Sequence, residues 1–170
     1  MKTIRSILMK PAWLVAAGGL LLCQPVDAGL KPGDNFLDLT AYKLEGKLPD
    51  DLKGKIVIVD FWASWCGPCK ESFPVLNELQ KKYGGKGVLI LAINEDEEKS
   101  DMADFLKDNP ATFTVVRDAA QKLVAAAGIQ TMPSSFVLDA TGQVKFFHNG
   151  FHGAATRKQY VEELESLLKK

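Results

Sequence analysis

Two cysteines separated by two residues stand in Trp65-Cys66-Gly67-Pro68-Cys69, directly after the apolar run Ile56-Val57-Ile58-Val59-Asp60-Phe61-Trp62. That spacing closes a very small disulfide ring, and the change from apolar run to helix-forming residues puts Cys66 at the start of a helix. Unpaired backbone N–H groups and the helix dipole favour negative charge there. A cysteine so placed has a pKa of roughly 3.5 to 7.5 instead of the about 8.5 of a free thiol. Cys66 is therefore the expected attacking thiolate. Cys69, one turn further on, is the expected resolving thiol, and the chemistry is two-electron thiol–disulfide exchange. Gly67 and Pro68 tune the pair. Pro68 has no N–H to offer the sulfur, which leaves the thiolate less stabilised and the dithiol the stronger electron source.

Asp60 stands out in an otherwise apolar strand. Either burial raises its pKa and makes it a proton acceptor for Cys69, or it lies at a strand edge and reaches water. Thr131-Met132-Pro133 precedes a further apolar run, a place where a strand tolerates proline. The sequence leaves the isomer of the Met132–Pro133 bond open.

The elements that position these residues follow from periodicity. Residues 29–54 read as an extended segment with one edge strand over Phe36 to Thr40. Ile56 to Trp62 reads as a central strand buried on both faces. A helix is expected from Gly67 to Tyr83, kinked at Pro74 and ended by Gly84-Gly85. Val88 to Ile93, Phe113 to Val116, Ser134 to Leu138 and Val144 to Phe147 read as strands, the last two joined by a turn over Asp139-Ala140-Thr141-Gly142. Helices are expected over Ser100 to Lys107 and Ala119 to Ala127, and in a final segment capped by Thr156. Alternating β and α elements with a closing hairpin and helix imply an α/β fold with a central mixed β-sheet flanked by helices. The reactive pair follows a strand's carboxyl end, where such sheets place their sites.

The chain has 170 residues, with 21 basic and 21 acidic ones. No basic block offers an electrostatic footprint for nucleic acid, and that class is set aside. Lys2, Arg5 and Lys10 precede an apolar run from Pro11 to Leu22, and Val26-Asp27-Ala28 has the small-x-small pattern of a cleavage site. Residues 1–28 are read as a signal peptide, or as an anchor if uncleaved, and residues 29–170 as the functional domain. Export to the periplasm or the extracytoplasmic envelope follows. Lipidation at Cys23 is a rival that Leu22, too large for the usual position before a lipidated cysteine, argues against. Cleavage leaves Cys66 and Cys69 as the only cysteines, and so short a ring restrains little chain entropy, which favours a catalytic over a structural pair.

Together these residues resemble the thioredoxin superfamily: Val59-Asp60-Phe61-Trp62-Ala63-Ser64-Trp65-Cys66-Gly67-Pro68-Cys69-Lys70, then Pro74, then Thr131-Met132-Pro133. The export pattern, the extra strand–helix unit around residues 88–117 and the segment Pro133 to Asp139 narrow the resemblance to the TlpA/ResA-like branch. It covers about residues 33–168. It implies a thioredoxin-like fold with an N-terminal extension and a central strand–helix insertion. It also implies a cis Pro133 facing Cys66, with Met132 offering its main chain to an extended substrate segment and Trp65 beside it. Its members typically reduce disulfides of envelope proteins, including apocytochromes c or copper-site proteins, and are recharged by a membrane electron donor. A monomer is the expected state, with the Cys66–Cys69 disulfide in place of a cofactor. Many members carry Asn at the position of Asp60, a departure that points to broader substrate use.

Three other readings compete. The same fold can run as a disulfide-forming oxidase, because direction depends on potential; about 30 mV already amounts to 1.4 kcal/mol. A copper or zinc module would need Cys66, Cys69 and His148 or His152; two thiolates supply half of a tetrahedral set and no second Cys-x-x-Cys follows, so no metal site is expected. A peroxidase would normally use a cysteine without a partner two residues on.

Overall fold

The computed structural model describes residues 29–50 and 52–169. The signal-peptide and Cys23 readings fall outside those residues. Five strands form one mixed sheet: β1 (Ile56–Trp62), β2 (Val88–Asn94), β3 (Thr114–Arg117), β4 (Ser134–Leu138) and β5 (Val144–Asn149), in the order β3-β2-β1-β4-β5. β1 runs parallel to β2 and antiparallel to β4, β2 runs parallel to β3, and β4 and β5 form an antiparallel hairpin. Four helices accompany them: α1 (Gly67–Tyr83), α2 (Lys99–Asp108), α3 (Lys122–Ala127) and α4 (Ala154–Leu168). The expected mixed sheet flanked by helices is what forms. No helix among the described residues is long and apolar enough to cross a membrane.

β1 is buried along its whole length. Its β-branched residues fit a pleated surface that is covered on both sides. Alternation sends Val57, Val59 and Phe61 to one face, where they pack with Leu91, Ile93, Leu123 and Phe136. Ile56 and Ile58 go to the other face with Leu76 and Leu79 of α1 and Tyr160 and Leu164 of α4. Trp62, on that second face, packs with Phe73, Cys66 and Cys69. Met102, Phe105 and Leu106 of α2 close this third cluster, so the helix inserted between β2 and β3 leans on the cysteine end of the sheet.

Several expectations are corrected. No edge strand forms over residues 36–40; Leu39–Ala41 is a single 3-10 turn whose cap, Asp38, accepts from the Thr40 N–H at 2.9 Å. A short polar side chain that bonds its own backbone competes with strand pairing. The N-terminal segment instead touches the sheet by isolated bridges, Asn35 to Gln143 and Glu45 to Arg117, and lays Phe36, Leu37 and Tyr42 against the first face. α3 starts at Lys122, three residues later than expected, because Asp118 accepts from the N–H groups of Leu123 and Val124 at 2.6 and 3.1 Å and Gln121 takes a left-handed φ of 52°. Thr156 lies inside the first turn of α4, and its hydroxyl accepts from the His152 N–H at 2.9 Å; Gly153 holds the cap position. α1 ends at the expected Gly84-Gly85, with Gly84 as a right-handed cap, and the left-handed turn falls later, at Gly87, φ 89°. Pro74 lies inside α1, as expected.

Candidate active site

Cys66 is the N-cap of α1, and Gly67 and Pro68 form the helix's first positions. The loop Ala63 to Trp65 carries the chain from β1 into the helix, and Asp96, just past β2, pins it. The Asp96 carboxylate accepts from the Ser64 N–H at 3.0 Å and from the Ser64 hydroxyl at 3.0 Å. The Asn94 amide donates to the same carboxylate at 2.8 Å. Arg117 steadies that turn from behind: its guanidinium donates to the carbonyls of Asp96 and Glu97 at 3.1 and 2.7 Å and pairs with Glu45 at 3.0 Å.

Cys66 and Cys69 are joined by a disulfide with their Cα atoms 5.3 Å apart. The Cys69 N–H donates to Cys66 Sγ at 3.2 Å. Cys66 keeps 5% of its surface and Cys69 none, so the first sulfur is the accessible one. Ser72 lies buried one turn on, its hydroxyl donating to the Cys69 carbonyl at 2.9 Å. Trp65 is 72% exposed, an unusual position for so large an apolar ring. Met132 packs against the cluster that holds both cysteines, and the Met132–Pro133 peptide bond is cis. Pro133 accepts at its carbonyl from the Gly150 N–H at 2.8 Å. Among the described residues, none hydrogen-bonds the main chain of Met132.

Asp60 lies on the same sheet face as Ile58 and Trp62, the face covered by α1. It is 1% exposed, its Oδ2 has no hydrogen-bond partner, and burial pushes its pKa up to about 8. The strand-edge alternative is therefore not the arrangement found. Ser135 faces Asp60 across the β1–β4 pair and is bonded to the Tyr160 hydroxyl at 2.7 Å. Burial, and then the charge of Asp60, push the Tyr160 hydroxyl far above its ordinary range, which keeps it protonated.

Two acids escape the sequence reading. Asp96 organises the loop before Cys66, and Glu95, its neighbour, is buried with neither carboxylate oxygen partnered. The run Glu95-Asp96-Glu97-Glu98 at a strand's carboxyl end was the available signal. His148 bonds Glu163 at 2.8 Å, and no three His, Cys, Asp or Glu side chains among the described residues gather as a metal-binding set.

Comparison with known proteins adds a family to this geometry. The Redoxin family model matches residues 31–164. The thiol-disulfide oxidoreductase ResA of Bacillus thuringiensis (strain Al Hakam) is 38% identical over 142 residues, covering 82% of this chain and 76% of the relative. ResA of Bacillus subtilis (strain 168) is 33% identical over 136 residues, covering 77% and 76%. Among solved structures, a Chlorobium tepidum chain whose proposed name is thiol:disulfide interchange protein DsbE is 38% identical with a TM-score of 0.75, covering 82% of this chain and 99% of that one. StoA from Bacillus subtilis is 29% identical with a TM-score of 0.56, covering 64% and 84%.

Proposed function

The chain belongs to the Redoxin family as a ResA-like thiol-disulfide oxidoreductase, and from that premise we propose that it is an exported reductant of protein disulfides. In the reduced enzyme the Cys66 thiolate attacks one sulfur of a substrate disulfide. A mixed disulfide forms and the other substrate sulfur leaves as a thiolate that takes up a proton. Cys69 then gives its proton to Asp60 in its ionised form, a fraction that grows as pH rises toward about 8, and attacks Cys66 Sγ. The second substrate sulfur is released, and the Cys66–Cys69 disulfide closes; two electrons have passed to the substrate. The substrate segment lies along the main chain of Met132, beside Pro133 and Trp65, so varied proteins can dock by backbone pairing.

One observation carries the direction of electron flow. The Cys66 sulfur receives a single backbone donor, the Cys69 N–H, and Pro68 between them supplies none. A sparsely solvated thiolate is a good electron source. The N-terminal charge and apolar pattern supports a site outside the cytoplasm, where a membrane electron donor returns the pair to the dithiol. Envelope proteins, among them apocytochromes c or copper-site proteins, are the substrates this reading names, with no cofactor beyond the cysteine pair and a monomer as the working unit.

Equilibration with glutathione redox buffers tests the direction. A potential near the roughly −270 mV of thioredoxin supports the reductant; one near the roughly −120 mV of DsbA makes the protein an oxidase.

A further inference from the structure

An acidic cleft of about 420 Å³ opens beside the reactive pair. Trp65 and Met132 line it together with Glu95, Glu98 and Asp101. A second cleft, of about 440 Å³, lies across Trp65 and includes Cys66; Asp101 borders it too, together with Asp104 and Asp108. Between Glu95 and Asp108 the sequence holds seven acidic residues and two lysines, in a chain whose overall charge is zero. One of those lysines, Lys107, is already paired with Asp104. Lys70 also borders the second cleft, so the unbalanced negative charge gathers on the Glu95 and Asp101 side of Trp65.

Glu95 gives this field a specific focus. It is 4% exposed, it lines the first cleft, and both of its carboxylate oxygens are buried with no partner. Its acidic neighbours are satisfied: Asp96 by Ser64 and Asn94, Asp118 by the start of α3. Burial, and after it the charges of Asp118 and Asp96, push Glu95 up to about 9. A positive group brought against it would draw out the carboxylate and supply the missing bond. The walls also define the shape of that group. Val124, Met132 and Trp65 are apolar, so the fitting ligand has an aliphatic stem and a charged head, and the Trp65 ring can take a cation on its face.

We propose that this cleft selects substrates that carry a lysine or arginine beside the cysteine under attack, with the stem against Met132 and Trp65 and the charge on Glu95 and Asp101. The inference rests on the disulfide-reductase reading, since it is the substrate strand along Met132 that delivers the side chain.

Three disulfide-bonded peptides that differ only in Lys, Ser or Glu beside the cysteine separate the two claims. Reduced protein is mixed with each and the second-order rate constant for its oxidation is measured at low and high salt. Lys over Ser over Glu is expected, with at least tenfold between the extremes at low salt and a smaller spread in about 0.5 M salt, where screening shortens the reach of surface charge. Equal rates on all three peptides overturn the selectivity and leave the reductase reading standing. Reduction of none of them defeats the reductase reading itself. Glu95→Gln should lower the Lys-to-Ser ratio at least twofold, and an unchanged ratio in the folded variant overturns the assignment to Glu95. Asp101→Lys, on the exposed start of α2, tests the same field should Glu95→Gln not fold: it should favour the Glu peptide, and a persisting Lys preference contradicts the proposal.

Discussion

Ser135 faces Asp60 across the β1–β4 pair, yet its hydroxyl lies 2.7 Å from that of Tyr160 and Asp60 Oδ2 is left buried without a partner. The strand register thus sets a hydroxyl beside a carboxyl and α4 engages it elsewhere. Desolvation then acts on Asp60 unopposed, which is why it stays protonated near neutral pH.

The stability of the oxidised protein should carry this signature. Between about pH 4 and pH 8 the unfolded chain ionises Asp60 while the folded chain keeps it protonated. The native state binds the extra proton, so stability falls as pH rises through that window and levels off above it. Asp60→Asn removes the slope. Its advantage should grow from near zero at pH 4 to as much as about 5 kcal/mol above pH 8, read by denaturant unfolding. Parallel curves for the two proteins would contradict the raised Asp60.

Tyr160→Phe should free the Ser135 hydroxyl to donate to Asp60. A hydrogen bond to the carboxylate form lowers its pKa, by about one unit for a single neutral donor. The Asp60 midpoint, followed by its carboxyl carbon resonance, should move down. An unmoved midpoint would mean that Ser135 does not turn.

Arg117 ties the N-terminal segment to the turn before the active-site loop through Glu45 and the carbonyls of Asp96 and Glu97. Arg117→Ala leaves those buried acceptors unmet and should cost roughly 2–3 kcal/mol in urea unfolding at pH 7. It should also raise hydrogen exchange at Glu45, whose N–H bonds the Arg117 carbonyl at 2.8 Å. A loss within about 0.5 kcal/mol, the range of ordinary surface changes, would contradict this brace.

Trp65 contributes little to the core at 72% exposure. Trp65→Ala should leave unfolding within about 0.5 kcal/mol of the parent and lower kcat/KM for protein disulfides about tenfold, as loss of an aromatic docking anchor does. Equal kcat/KM would remove it from the docking surface.

The sequence was most legible where one signal dominated. β1 and α1 have the bounds expected, since a β-branched run buried on both faces and a proline-initiated helix leave little room for alternatives. Legibility failed where short polar side chains compete with the backbone: Asp38 makes a turn of the expected edge strand, Asp118 delays α3, and Thr156 bonds back from inside α4. The cysteine pair could be read from spacing. Asp60 could be flagged as anomalous, but its burial and its unengaged neighbour depend on register and on α4. Glu95 and Asp96 sit in an acidic run of the kind that usually marks a solvated surface, and their burial depends on residues distant in sequence, Ser64 on the Asp96 carboxylate and Gln121 on the Glu95 carbonyl.

The most direct test of the account sets the two single-serine variants, both reduced, against one disulfide-bonded protein substrate, with covalent products weighed by mass spectrometry. Cys69→Ser should accumulate a mixed disulfide through Cys66, the accessible sulfur at the helix start, and Cys66→Ser should accumulate none, because Cys69 is fully buried. A mixed disulfide formed by Cys66→Ser and absent from Cys69→Ser would reverse the roles of the two cysteines and contradict the account.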